Sequence, residues 1–250
     1  MESDLIGIWQ GALDGTTWWE QDADEPAYSA SLMKVPVATA AERRHQRGEI
    51  DLDALVEIHT DFDSELPGER YVLDRDDDQD DATWDHVGEQ VTLRELRRRA
   101  IVVSGNLATN LLLEPTGVAE VSAVLAEAGV SGRTRITRGI DDGPARDAGY
   151  DNVVTARDLG RLLAQTPSEV EHVMLGQTHR DAIPAGMPAG TAIANKTGWI
   201  DDHTHDMALV RPTDSEPFAL VLLTRLAGVG YDDANTLLAR LAAQAWERRR

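Results

Sequence analysis

Lys34 and Lys196 are the two lysines of a 250-residue chain that carries 22 arginines. Arginine holds its proton at any accessible pH, whereas a buried ammonium can shift its pKa and act as a base. An amine kept at two positions therefore points to proton transfer. Each lies in a short run with chemical character, Ser31-Leu32-Met33-Lys34 and Lys196-Thr197-Gly198. Residues i and i+3 of a helix are neighbours, so a helix over 29–47 would aim the Ser31 hydroxyl and the Lys34 amine the same way. With Ser29 as N-cap, Ser31 falls in the first turn, where free N–H groups favour developing negative charge. A serine beside a base that can be neutral is an activated nucleophile. Pro36, read as interior to that helix, forfeits a bond to the Leu32 carbonyl, typically about 3 kcal/mol. A local rule broken beside the candidate base favours a functional element.

A third run, Ser104-Gly105-Asn106, separates apolar Ile101-Val102-Val103 from a helical pattern that begins at Leu107. Standing alone it reads as a turn and a cap. Lys196-Thr197-Gly198 lies in an apolar strand pattern over 192–200, where the glycine lets another backbone come close. A second ammonium near Lys34 would lower the Lys34 pKa by like-charge repulsion and attract a substrate carboxylate.

In this order, S-x-x-K, S-x-N and K-T-G resemble the active-site set of class A β-lactamases and penicillin-binding proteins. The likeness extends to residues 101–113 (IVVSGNLATNLLL), 152–163 (NVVTARDLGRLL) and 176–198 (GQTHRDAIPAGMPAGTAIANKTG). It implies that Ser31 attacks a lactam carbonyl, Lys34 takes or relays its proton, and Ser104 passes a proton to the leaving nitrogen while Lys196 tunes the field. Asn106 would hold the substrate side-chain amide, Thr197 and Lys196 its carboxylate, with Gly198 and Trp199 also substrate-binding, and the N–H groups of Ser31 and Trp199 would hold an oxyanion. No metal or organic cofactor is needed. The implied partner is a small β-lactam, acyl-peptide or ester.

Three departures shape the expected activity. The family activates its deacylating water with a glutamate in an Ω-loop, and the corresponding residues 138–152 (RGIDDGPARDAGYDN) contain none. Asp141, Asp142, Asp147 and Asp151 are the carboxylates available there, with Asp141 and Asp142 the candidate deacylation bases. Gly105 stands where the family usually has aspartate, and Trp199 is bulky where the family mostly has a small residue. The pattern resembles a divergent, glutamate-lacking branch of serine hydrolases. Three activities stay open: β-lactam hydrolysis, a D-Ala-D-Ala carboxypeptidase or esterase reaction, and a penicillin-binding receptor that acylates without turnover.

The elements that must position these residues follow from periodicity. Residues 5–13 and 16–20 read as strands around an Asp14-Gly15 hairpin turn. Thr92 with Glu95 forms a capping box for a second helix. Helical patterns follow at 106–113, 119–128, 155–165 and 167–176, then strands at 191–200, 204–210 and 218–226, and a closing helix at 232–249. The acidic run 74–85 (DRDDDQDDATWD) reads as a solvated loop. The expected fold is α/β: one antiparallel sheet flanked by helices plus an all-helical subdomain. It would form a single catalytic domain over 1–250, its α/β part at about 1–50 and 177–250 and its helical part at about 51–176.

Composition bounds the partners. A net charge of −20 opposes nucleic acid and anionic membrane surfaces, and the arginine runs 97–99 and 248–250 read as cations late in helices. No apolar run reaches 18 residues, so no membrane span is expected. The absence of cysteine excludes disulfides and thiolate chemistry. The chain's start lacks the basic and apolar regions of a secretory signal, so a soluble, cytoplasmic protein is the default expectation with export open. His203 and His205, two apart among aspartates, have a composition that can bind zinc, but a polar turn after K-T-G explains them as well.

Overall fold

The computed structural model describes residues 3–250. The chain divides into two compact units, one from Met1–Leu32, Leu125–Thr134 and Val153–Arg250, the other from Met33–Val124 and Arg135–Asn152. Among the described residues, no helix is long and apolar enough to cross a membrane.

The first unit is built on a five-stranded antiparallel sheet in the order Thr17–Gln21, Leu5–Ala12, Phe218–Arg225, His203–Arg211, Ala192–Ile200. Short connections join sequence neighbours, and the N-terminal strand closes against Phe218–Arg225 from Leu5↔Arg225 to Ala12↔Phe218. One face carries Ile8, Ile193, Val210, Phe218, Leu220 and Leu222, which meet Leu238, Ala242 and Ala245 of the closing helix Tyr231–Glu247 in one core. Successive strand residues point to opposite faces, so Trp9, next to Ile8, turns to the other side and lies against Gly160 of the helix Ala156–Ala164. Because both faces are covered, the three C-terminal strands are buried almost end to end rather than in alternation.

The second unit packs the helices Lys34–Gln46, Leu93–Val102 and Asn106–Thr116 against one another. Small residues such as Ala38, Ala40 and Ala41 let them approach, and Leu96, Ile101, Leu107 and Leu112 fill the space between. Thr92 caps its helix, its side chain accepting from the Glu95 N–H at 3.2 Å. Besides helices, this unit has two short antiparallel ladders, Leu55–Glu57 with Gln90–Thr92 and Asp61–Asp63 with Arg70–Val72.

Several local expectations change. The run from Ala30 starts as a 3₁₀ turn, Ala30–Met33, and becomes α-helical at Lys34. Ser29 does not cap it, because its hydroxyl donates to the Ala30 carbonyl instead of accepting an N–H. Pro36 thus falls in the first α-turn, where a missing N–H leaves no bond unmade. Its presence is helix-start chemistry, not a broken rule. Arg97 is no dipole-complementing cation: it is buried and paired with buried Glu42. The acidic run is not a solvated loop either. It folds as a 3₁₀ turn, Arg75–Asp77, and a short helix, Asp81–Trp84, with Asp80 buried.

Candidate active site

In the second unit Lys34 is completely buried, at 0% exposure. Its Nζ donates to the Ser104 carbonyl, to Asn106 Oδ1 at 2.7 Å, and toward Ser104 Oγ at 3.3 Å. Burial pulls its pKa down to about 7. The cause is desolvation of the charged form, where the sequence pointed to like-charge repulsion from Lys196. The charges that act on it, Asp78, Asp141 and Asp80, pull the other way. An amine poised near neutrality beside a hydroxyl is what general-base chemistry at a serine needs.

Ser104 sits at φ 63, a left-handed conformation that costs an L-residue about 1–3 kcal/mol. The strain is held by Asp78. Its Oδ1 accepts the Asn106 N–H and its Oδ2 the Leu107 N–H, each at 2.8 Å, which satisfies two free donors at the start of the helix. Trp84 Nε1 donates to the same carboxylate at 2.9 Å. Asn106 Nδ2 donates to the Asp77 carbonyl at 2.8 Å, which leaves its Oδ1 turned to Lys34. Neither Asp78 nor Asp80 was legible as a site residue. The clue available was the tryptophan in the acidic run, since a solvated loop has no use for Trp84.

Residues 138–152 belong to the same unit and are pinned from two sides. Asn110 accepts from the Ile140 N–H and donates to its carbonyl, both at 2.9 Å. Asn152 accepts from Thr137 and Arg138. Asp142 is consumed as a helix cap: Oδ1 accepts from Ala145 N–H and Ser64 Oγ, and Oδ2 from Glu65 N–H. Asp141 has φ 56, and burial raises its carboxyl above the usual range, assisted by Asp77 and opposed by Arg138 and Lys34.

In the first unit Ser31 is half-buried, directly after Ala30 at φ 43. Gly198 lies against this turn: a Cβ there would stand 2.9 Å from the Ser31 amide nitrogen and 3.1 Å from that of Leu32. Any side chain at this position would push the strand off the Ser31 amide, and Trp199 follows directly in the chain. Lys196 is fully buried and donates to the Thr197 carbonyl at 2.6 Å. Thr197 Oγ1 is buried with no hydrogen-bond partner among the described residues. The Trp199 ring meets His179 and Tyr231 edge-on, with centroids at 4.8 and 5.3 Å.

The histidines are committed elsewhere. His205 accepts the Thr224 N–H at Nδ1 and donates from Nε2 to the Tyr28 carbonyl, so both ring nitrogens are engaged with backbone. Burial lowers its pKa to about 4, which keeps it neutral. His203 pairs with Asp202. Among the described residues, no group of three or more His, Asp or Glu is arranged to hold a metal.

The model of the β-lactamase enzyme family matches residues 2–248. The chain belongs to that family. No curated protein matches this β-lactamase-family chain. Its fold matches the structure of L2 complexed with relebactam at a TM-score of 0.80, with 20% identity, 97% of this chain covered and 90% of that one. An ancestral class A β-lactamase matches at 0.80 with 23% identity, covering 98% and 94%. A β-lactamase from Xanthomonas campestris pv. campestris matches at 0.80 with 22% identity, covering 97% and 91%. These likenesses concern the fold: the mixed α/β architecture with its antiparallel sheet is that of class A β-lactamases.

Proposed function

We propose that this protein is an acyl-serine hydrolase acting on β-lactams, by a route that needs neither metal nor cofactor. Ser31 Oγ attacks the lactam carbonyl as Lys34 takes its proton, and the C–N bond then breaks as Ser104 delivers a proton to the leaving nitrogen. The Ser31 and Trp199 N–H groups hold the oxyanion, Thr197 and Lys196 the substrate carboxylate, and Asn106 its side-chain amide. Water then cleaves the ester with Asp141 as base, since Asp142 is taken up in capping.

The observation that carries this reading is the buried Lys34 amine, lowered to about 7 and hydrogen-bonded toward Ser104 and Asn106. Family membership and three ordered motifs support it. A chromogenic cephalosporin tests it: intact-protein mass should rise by one acyl group, and Ser31→Ala should abolish the increment. No adduct and no turnover with any β-lactam or acyl ester overturns the assignment of Ser31. A stoichiometric burst without a steady rate would instead identify a penicillin-binding receptor. Turnover confined to D-Ala-D-Ala peptides or simple esters would identify a carboxypeptidase or esterase.

A further inference from the structure

Gly105 lies at the centre of the S-x-N run and carries no carboxylate. The backbone there is ordinary, φ −60 and ψ 127, so conformation alone does not demand glycine. Space does. A Cβ on Gly105 would stand 2.9 Å from Asp80 Cβ and 3.0 Å from its Oδ2. The acidic segment occupies the volume that a side chain at 105 would fill. Asp80 is held by Arg99 at 2.8 Å and by the Thr83 hydroxyl, which places Asp78 two residues earlier against the helix start. There its two oxygens take the N–H groups of Asn106 and Leu107.

We propose that Asp78 is the positioning residue of this site: it replaces, from a distant segment, the carboxylate absent at Gly105 and holds Ser104 and Asn106 against Lys34. It acts in two ways. Its hydrogen bonds set the start of the helix whose first side chain accepts from the Lys34 amine. Its charge also favours the ammonium form of Lys34, working with Asp80 from the same segment and Asp141 from the 138–152 loop, while the direct neighbours Ser104 and Asn106 are uncharged. Burial and these three carboxylates oppose each other, and their balance sets the pH at which the base is free.

The chain's two lysines make this directly measurable. With ¹³Cε-lysine labelling, the spectrum holds two side-chain signals, which Lys196→Arg assigns. In Asp78→Asn an acceptor oxygen remains but the charge is gone. The Lys34 midpoint should fall by at least about half a pH unit, and the acid limb of Ser31 acylation by a cephalosporin should move down with it. Asp78→Ala should in addition speed hydrogen exchange at the Asn106 and Leu107 amides by tenfold or more. Asp76→Asn, a neighbouring charge change, should leave the Lys34 midpoint in place. A Lys34 midpoint unmoved or raised in folded Asp78→Asn overturns the proposal, as does unchanged exchange at the two amides in Asp78→Ala. The lysine and amide readouts need no catalysis. If wild-type protein forms no adduct while they respond as expected, the acyl-serine reading falls and the role of Asp78 stands.

Discussion

Lys34 Nζ donates to Asn106 Oδ1 across 2.7 Å, joining the start of one helix to the start of another. The amine is fully buried and also reaches Ser104, so among the described residues it has hydrogen bonds but no directly bonded carboxylate. A lysine held this way is stabilised as a polar group without being fixed as a cation. Lys34→Arg keeps the positive charge and removes the capacity to lose it. The rate of Ser31 acylation should fall at least about a hundredfold, in line with general-base contributions. Stopped-flow measurement with a chromogenic cephalosporin checks this, and a near-normal rate would exclude Lys34 as the base.

The pH dependence follows from the same amine. Lys34 loses its proton at about 7 when folded, against 10.5 for an ordinary lysine. Acylation should therefore show an acid limb with its midpoint near pH 7, losing about tenfold per pH unit below it. Stability moves in the same direction. Between these two values the unfolded chain binds the proton that the folded chain has released, so stability rises with pH across that window. Lys34→Met removes the group, and the stability of wild type relative to this variant should grow from pH 7 to pH 10. Urea denaturation at several pH values reads the difference; one that shrinks contradicts the assigned shift.

Asp141 and Asp142 are neighbours with different fates. Asp142 accepts three hydrogen bonds that cap a helix and tie down Ser64 and Glu65. Asp141 makes no such cap, and burial raises its pKa. Asp141→Asn should leave the acylation burst intact while steady-state turnover drops at least about tenfold, and acyl-enzyme should accumulate by mass. Turnover equal to wild type would remove Asp141 from the deacylation step.

Glu42 and Arg97 form an ion pair between two helices of the second unit, with side chains 4% and 5% exposed. Removing one partner leaves the other charged and buried, at a cost of about 3–5 kcal/mol. Arg97→Met alone should therefore lower the melting temperature sharply. Combining it with Glu42→Leu should recover most of the loss, since an apolar pair of similar volume avoids both desolvation costs. Thermal denaturation of the single and double variants decides it, and no recovery in the double variant would contradict this account.

Much of the architecture was legible because it rests on periodicity. Alternating and continuous apolar runs placed the strands that are observed at Leu5–Ala12, Ala192–Ile200, His203–Arg211 and Phe218–Arg225 to within a residue or two. Thr92 announced its helix as a cap. Motif order was enough to point to the family, since Ser31, Lys34, Ser104 and Lys196 are recognised by type and spacing. What periodicity cannot carry is long-range capping. The Asn106 helix is capped by Asp78, 28 residues away in sequence, and nothing local to Ser104-Gly105-Asn106 names the donor of that carboxylate.

Sequence alone determined which groups are present: two amines, a serine one turn before the first, and three motifs in order. Tertiary structure alone decided their states. Lys34 is near neutrality because packing removes water from it. Of the two adjacent aspartates, Asp142 is occupied because Ser64 and Glu65 come to it. His205 is unavailable as a ligand because Tyr28 and Thr224 take both its nitrogens. Chemical identity is written residue by residue, but desolvation and hydrogen-bond occupancy depend on neighbours that are distant along the chain, and only folding brings those neighbours together.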